Sequence, residues 1–338
     1  TQTNSPPKPI MLAFIIQRLL QAVVVMLSVS FVSFALFQFV GDPINNMVGQ
    51  DATAEQRELL RERLGLNDPW PLQFVKYVGK IVQGEFGMSY RVGVPVEDLI
   101  ADRLPATIEL VLVSALLALL IGVPMGVYTG LNRNSWLSRL FLTISLIGIS
   151  LPTFVIGILL ILIFGVWLQW LPTFGRAGVV DLGWWTTSFL TLDGWRSLIM
   201  PSITLTLFQL TLIMRLIRAE MLEVLRTDYI KFARARGLRN RAVYFQHALK
   251  NTLVPVITIT GLQIGSLLAF SIITETVFQW PGMGLLILQA IQFVDIPVMS
   301  SYLVLIAFLF VLINLVVDLL YFIVDPRLRL DSMGRGAH

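Results

Sequence analysis

The chain has 338 residues, of which 56% are hydrophobic and only 14% are charged, and its mean hydropathy is +0.77. A composition this apolar excludes an ordinary soluble domain. The chain has no cysteine, which excludes a disulfide framework and a thiolate site, and its two histidines exclude a histidine-rich metal site. The net charge of +4 lies mostly beside the apolar runs, so it does not indicate nucleic-acid binding.

Six apolar runs are long enough to cross a bilayer, which takes about 20 residues. Because backbone groups in lipid must bond internally, each run predicts a transmembrane helix. The predicted spans are residues 14–40, 107–131, 138–167, 198–218, 252–274 and 302–324. This pattern predicts an all-α membrane protein.

Lysine and arginine concentrate in alternate segments between the spans, which predicts that both termini and the loop 219–251 are cytoplasmic. Residues 1–13 and 325–338 are then cytoplasmic tails, and Met11 is a plausible native start behind the polar residues 1–10. The first apolar run has no small-residue cleavage site behind it, so we expect a retained anchor. Residues 107–324 are expected to form a five-helix core.

Residues 41–106 are the only sizeable polar segment, and we expect them to build a small ordered cap on the extracytoplasmic side. Thr53 can cap a helix for which Gly65 is a natural stop. Helices are predicted over residues 54–64, 71–82 and 96–103. The second outer loop carries four tryptophans, which are typical of a membrane interface, and substrate contact is the alternative.

The spans are nearly free of charge, since Glu109, Arg215 and Asp318 lie toward span ends. Nothing resembles the relay that an ion-coupled transporter needs. The sequence also lacks the G-x-x-x-x-G-K-[ST] phosphate loop and the G-x-S-x-G and H-E-x-x-H signatures, which argues against an intramembrane enzyme. A pathway without its own energy source implies either an energy-supplying partner or a passive pore. Glycines and prolines within the spans serve either close packing or bending.

The segment from Asp228 to Pro255 is the most informative part of the cytoplasmic side. Asp228 can cap a short helix, and Gly237 can end it in the left-handed conformation. Asn240 can begin a second helix that continues into the fifth span. The first helix combines apolar and basic side chains, namely Tyr229, Ile230, Phe232 and Ala233 with Lys231, Arg234 and Arg236. Such a helix suits a protein partner or, alternatively, anionic lipid.

This segment resembles the cytoplasmic EAA loop of bacterial ABC-importer permeases, in the form used by the dipeptide/oligopeptide/nickel group. The residues that fit its A-R-A-K-G pattern are Ala233, Arg234, Ala235, Arg236 and Gly237. The pattern H-A-L-R-N-x-x-x-P is matched from His247 to Asn251 with Pro255. The Glu-Ala-Ala start of the broader family is here Lys231-Phe232-Ala233, a departure that agrees with the peptide group.

The resemblance extends along most of the chain. Residues 41–43, 65–69 and 103–110 fit the group's G-D-P, L-G-L-x-x-P and R-L-P-A-T-x-E-L patterns, and 295–298 and 314–327 fit its D-x-P-V and N-x-x-x-D-x-x-Y-x-x-x-D-P-R patterns. Residues 275–284 fit E-T-V-F-x-W-P-G-x-G at the outer end of the fifth span.

Within that last motif, Glu275 at a membrane edge needs a partner or water. Together with Phe278, Trp280, Pro281 and Gly282 it is interpreted as an outer gate, and a surface hairpin is the alternative.

The resemblance implies the permease of a type I ABC importer, with no catalytic or metal site in this chain. It implies a second, homologous permease in a heterodimer, two ATP-binding subunits that hold ATP and magnesium, and an extracytoplasmic solute-binding protein, all at a bacterial inner membrane. The helix from Asp228 to Gly237 would couple this chain to an ATP-binding subunit. The implied cargo is a di- or oligopeptide; nickel chelates, glutathione or oligosaccharides are alternatives, and a passive pore is the alternative from another class.

Overall fold

The computed structural model describes residues 8–39, 53–64 and 67–324. In chain order the helices are α1 (Lys8–Phe39), α2 (Ala54–Leu64), α3 (Trp70–Gln83), α4 (Val96–Leu131), α5 (Trp136–Ser150), α6 (Thr153–Leu160), α7 (Leu192–Val224), α8 (Asp228–Ala235), α9 (Leu249–Val277), α10 (Met283–Gln292) and α11 (Ile296–Val324). Two π-helical segments, Ile161–Trp167 and Ala242–Ala248, continue α6 and precede α9. Strands β1 (Val180–Asp181) and β2 (Thr186–Thr187) pair antiparallel. The predicted all-α class is confirmed.

The predicted spans coincide with long apolar helices, except for one that is broken. Over the described residues, α1, α4, α7, α9 and α11 each contain a stretch long and apolar enough to cross a membrane. The expected third span, 138–167, instead consists of α5 and α6 with its π-helical extension, which meet at 107°. Pro152 lies at this break, where its missing N–H and fixed φ prevent one continuous helix.

The expected helices of the cap form, with one correction. α2 has its predicted bounds because Thr53 and Gln56 form a reciprocal cap: Gln56 N–H donates to Thr53 Oγ1 at 3.3 Å, and Thr53 N–H donates to Gln56 Oε1 at 3.1 Å. The stop predicted at Gly65 lies outside the described residues. α3 is one residue longer at each end than predicted.

A separate helix over residues 96–103 was expected, and this is wrong. α4 continues from Val96 through Pro105 to Leu131. Proline removes the bond to the carbonyl four residues earlier, and here that residue is Ala101, which is exposed, so its carbonyl can be solvated. The apolar helix α10 was not predicted, since it follows a turn motif directly and is only 10 residues long.

The described chain divides into two compact units. One comprises the chain up to Pro105 together with Leu285–Leu312. Within it, the Ser33 hydroxyl donates to the carbonyl oxygen of Ser300 at 2.8 Å and lies 2.7 Å from the Tyr77 hydroxyl. Burial raises the pKa of Tyr77. These bonds join α1, α3 and the first part of α11.

The other unit comprises Ala106–Gly284 and the chain from Ile313. Its centre is α7, most of whose apolar window is buried. α4 packs against α7 at glycines, since a Cβ on Gly126 would lie 2.7 Å from the Cβ of Ile217, and one on Gly122 would lie 3.1 Å from a methyl of Ile213. Of the two expectations for glycines in spans, close helix packing explains these positions.

Candidate functional site

α8 (Asp228–Ala235) has one side buried and one exposed. We call it the docking helix because the sequence predicts that it couples the chain to a partner. Ile230 and Ala233, three residues apart and so on one face, are 0% and 7% exposed. Phe232 on the other face is 64% exposed, and Tyr229 is 40% exposed. The Phe232 ring is largely exposed on a helix that is itself well packed, so the ring is available to contact a partner surface.

The buried face of the docking helix is anchored in a hydrophobic cluster that we call the inner core. Its members come from α4, α7, α9 and the π-helical segment before α9; they are Ala118, Val127, Leu210, Ile213, Ile217, Met221, Val243, Ala248 and Val256, together with Ile230 and Ala233 of the docking helix. The docking helix therefore shares one buried apolar cluster with three long helices of its unit.

A hydrogen bond adds a polar link between the docking helix and α9. The Asn251 side-chain amide donates to the Tyr229 hydroxyl oxygen at 2.7 Å. His247 is half-buried in the π-helical segment, and Pro255 lies inside α9. The sequence motif containing these three residues therefore marks the junction between the docking helix and the fifth span.

Both ends of the docking helix were predicted from sequence, and one prediction is wrong. Gly237 has a φ of +76°, which confirms the left-handed stop. The N-cap, however, is Thr227, whereas Asp228 occupies the first turn and pairs with Lys231 at 2.8 Å. Its hydrogen bond with Lys231 lowers the pKa of Asp228. Thr and Asp stand side by side and both suit this position, so local pattern alone does not choose between them.

The exposed face of the docking helix is basic around its phenyl ring. Arg234, Ala235 and Arg236 are exposed, and the Arg236 guanidinium lies 5.8 Å from the centre of the Phe232 ring. A shallow groove follows in the chain and adds further basic and apolar groups; it is lined by Arg239, Arg241, Ala242, Phe245 and Gln246. This surface matches a partner that presents carboxylates around an apolar recess.

The predicted gate motif folds around a buried carboxylate, in a group of residues that we call the outer cluster: Thr107, Glu275, Trp280, Gly282 and Gly284. Glu275 is 0% exposed. It accepts hydrogen bonds from the Thr107 hydroxyl and from the Gly284 N–H, both at 2.6 Å. The expectation that Glu275 needs a partner is confirmed. A Cβ on Gly282 would lie 2.5 Å from the Glu275 carboxyl carbon, so only glycine fits there.

The aromatic side chains of the predicted gate lie inside their unit. Phe278 and Trp280 are 1% and 0% exposed. The Trp280 indole N–H donates to the carbonyl oxygen of Ala106 at 2.9 Å, and the Phe278 carbonyl accepts a bond from Gly175 N–H at 2.8 Å. Pro281 is half-buried in the turn. The turn is therefore packed against α4 and the second outer loop, unlike a simple exposed hairpin.

A buried ion pair near the outer cluster was missed from the sequence. Glu109 and Arg176 lie 2.7 Å apart with side chains 1% and 3% exposed. The guanidinium also donates to the Ser188 hydroxyl at 2.7 Å and to the hydroxyl and carbonyl of Thr186 at 3.0 and 2.8 Å. Arg176 is one of two arginines in a tryptophan-rich loop predicted to lie on the same side as Glu109, and this was the available signal.

A third buried carboxylate, that of Asp295, was identified from the sequence only as part of the D-x-P-V motif. In the other unit, Asp295 is 3% exposed and accepts from the Ser89 hydroxyl at 2.5 Å and from the N–H groups of Tyr90 and Arg91 at 3.1 and 3.3 Å. The Arg91 guanidinium lies 3.8 Å from the centre of the Phe293 ring. Asp295 thus fixes the loop before α4 to the start of α11. Among the described residues no cluster of three or more His, Asp or Glu could hold a metal ion.

Comparisons with known proteins cover nearly the whole chain. Residues 122–330 match the family described as binding-protein-dependent transport system inner membrane component, and residues 11–111 match its N-terminal region. The chain is 40% identical to a dipeptide transport system permease protein, DppB, of Alkalihalophilus pseudofirmus, over 94% of this chain and 100% of that protein. It is 39% identical to the glutathione transport system permease protein GsiC of Escherichia coli, over 94% of this chain and 99% of that protein.

Solved structures of similar fold include inward-facing conformations of the MetNI methionine ABC transporter. One of them superposes with a TM-score of 0.55 and covers 67% of this chain and 96% of its own, at 21% identity. This likeness concerns the fold alone.

The buried ion pair of Glu109 and Arg176 predicts that removing Arg176 destabilises the protein much more than removing an exposed arginine does. Arg176→Met leaves the Glu109 carboxylate buried without its charge partner, and we expect it to lower the free energy of unfolding by about 3–5 kcal/mol. Arg196→Met is the matched control, because it breaks a pair at 3.6 Å between side chains that are 53% and 72% exposed. That loss should be at most about 1 kcal/mol. Thermal unfolding in detergent measures both.

The double variant Glu109→Gln with Arg176→Met should recover part of the loss, because no charge stays buried alone. Equal melting temperatures for Arg176→Met and Arg196→Met would contradict the assignment.

Proposed function

Since the chain belongs to the family of binding-protein-dependent transport system inner membrane components, we propose that it is one permease subunit of an ATP-driven importer of di- or oligopeptides. It has the type I ABC importer permease fold. The observation that carries the cargo proposal is the near full-length similarity to a dipeptide permease at 40% identity. The similarity to a glutathione permease at 39% identity favours a second candidate, the tripeptide glutathione.

In the proposed assembly this chain hydrolyses no ATP and acts mechanically. A homologous permease pairs with it in a heterodimer, and the cargo path lies between the two. Two ATP-binding subunits, which hold ATP and magnesium, dock on the cytoplasmic side, where both termini lie, and a solute-binding protein delivers cargo from outside. The absence of a phosphate-binding loop in the sequence supports placing hydrolysis in separate subunits.

We propose that an ATP-binding subunit binds the docking helix. Its exposed phenyl ring, surrounded by Lys231, Arg234 and Arg236, offers an apolar anchor within a basic rim. Its buried face packs into the inner core. A push on the docking helix is then delivered to α4, α7 and α9, and these are helices that must move if the path is to open alternately to each side.

We propose the turn from Glu275 to Gly282 as part of the outer gate. The bonds of Glu275 to Thr107 and Gly284 close the turn over α4, and Trp280 fills the interior beneath it. Opening this side of the path requires that packing to loosen. The closed arrangement is stabilised by the burial of the indole and by its hydrogen bond to Ala106.

Reconstitution tests the function directly. This chain is incorporated into liposomes with its second permease, both ATP-binding subunits and the binding protein, and accumulation of a radiolabelled dipeptide is measured. We expect accumulation above the external concentration only with ATP and binding protein. Equilibration without ATP would indicate a passive pore. Unlabelled glutathione that abolishes dipeptide uptake at equimolar concentration would favour the glutathione candidate.

The docking role predicts that the exposed Phe232 side chain contributes strongly to binding of the ATP-binding subunit. Phe232→Ala should leave the fold intact and weaken retention of the ATP-binding subunit by about 2 kcal/mol, as expected for an aromatic anchor. Trp136→Ala is the control, since Trp136 is the first residue of α5, is 74% exposed and lies on the predicted cytoplasmic side. Co-purification and the affinity for the ATP-binding subunit are measured. Similar retention for the two variants would refute the assignment.

The gate role predicts uncontrolled ATP hydrolysis when the buried indole is removed. Trp280→Ala should raise ATPase activity without binding protein, because a loss of about 1.4 kcal/mol in the closed state shifts its equilibrium tenfold. Trp184→Ala, whose indole is 83% exposed, is the control. ATPase rates of reconstituted complexes are compared with and without binding protein. Unchanged basal rates together with unchanged uptake would show that the turn has no gating role.

A further inference from the structure

One side of α9, which we call the α9 stripe, is partly uncovered and carries polar side chains. It consists of Ile259, Gln263, Ser266, Phe270 and Ile273, spaced by four, three, four and three residues, and so lies on one helix face. Ile259, Phe270 and Ile273 are 39%, 42% and 41% exposed, and the two polar residues between them are half-buried.

The polar members of the stripe lie deep within a candidate membrane span. The apolar stretch runs from Pro255 to Val277. At 1.5 Å per residue, Gln263 is about 12 Å along the helix from Pro255 and about 21 Å from Val277. Ser266 lies about 17 Å from either end. Both therefore fall within a hydrocarbon layer that is about 30 Å thick.

No residue in the described part of the chain forms a hydrogen bond with the Gln263 amide or the Ser266 hydroxyl. An amide left unbonded in an apolar medium costs roughly 2–7 kcal/mol. Other exposed polar groups in spans avoid this cost: the hydroxyls of Ser28 and Thr143 donate to carbonyls four residues earlier in their own helices. Contact with lipid alone would therefore leave the Gln263 amide on the α9 stripe unsatisfied.

The exposed face of α4 differs in chemistry from the α9 stripe. On α4, Leu112, Leu116 and Leu120 are 56%, 56% and 62% exposed and follow one another at every fourth residue. This surface is uniformly aliphatic, as expected for contact with acyl chains. The two faces differ in chemistry although both are uncovered in the described chain.

Resting on the importer function proposed above, we infer that the α9 stripe lines the water-filled cargo path and that Gln263 hydrogen-bonds the peptide groups of the cargo. A primary amide both donates and accepts, so it complements a peptide N–H and C=O whatever the cargo side chains are. The aliphatic and aromatic members above and below Gln263 offer apolar contact to those side chains. This combination recognises a peptide backbone without selecting a sequence.

The absence of cysteine from the chain allows a direct test of water access. Gln263→Cys and Ser266→Cys are introduced singly, with Leu116→Cys as the matched lipid-facing control. The assembled complex in liposomes is treated with a charged, membrane-impermeant methanethiosulfonate, and labelling of this chain is followed by mass spectrometry. We expect the stripe cysteines to react at least about tenfold faster than the control, because only a hydrated thiol ionises.

A second variant pair tests contact with cargo. Gln263→Leu should raise the KM for dipeptide uptake about tenfold, the effect of one lost hydrogen bond, and Gln263→Asn should restore part of it. A similar fall in the maximal rate with no change in KM would overturn the binding role.

Two outcomes overturn the inference separately from the function. Labelling of the stripe as slow as Leu116→Cys, while the parent complex imports, shows that α9 faces lipid. Loss of the second permease from purified Gln263→Leu complexes shows instead a hydrogen bond between permeases. If the unmodified complex shows no ATP-driven uptake, the importer function itself fails, whatever the labelling.

Discussion

A polar group inside a membrane protein must find its partner within the protein, because lipid offers none, and this constraint organises the described chain. Two of the acidic side chains buried near span ends meet it in different ways. Glu109 is neutralised by Arg176 from the second outer loop, and Glu275 accepts bonds from Thr107 and Gly284. The bonds of Glu109 to Arg176 and of Glu275 to Thr107 join segments 67 and 168 residues apart in sequence. Satisfying the carboxylates therefore fixes which loops close over which helices.

Some polar groups in the spans find their hydrogen-bond partners within this chain, and others do not. Hydroxyls such as those of Ser114 and Thr252 bond to carbonyls of their own helices, and in doing so need no partner. The Gln263 amide on the α9 stripe has no hydrogen-bond partner among residues 8–39, 53–64 and 67–324.

Local sequence determined much of the structure. The reciprocal cap of Thr53 and Gln56 set the bounds of α2, and Gly237 ended the docking helix, because both signals act over a few residues. The predicted helix end before Pro105 is wrong, because the Ala101 carbonyl, which cannot bond to Pro105, can be solvated instead. The partners of Glu109 and Glu275 were not predictable, because composition gives no distance between a span and a loop dozens of residues away.

The inner core has a mechanical consequence. Interiors packed as densely as organic crystals compress little, so a displacement applied at one point is not absorbed nearby. The side chains of Ile230 and Ala233 belong to one buried cluster with side chains of α4, α7 and α9. If a partner displaces the docking helix as proposed, this cluster would resist compression, and the displacement would be passed to the helices that share it. The size of the displacement would then limit how far those helices move.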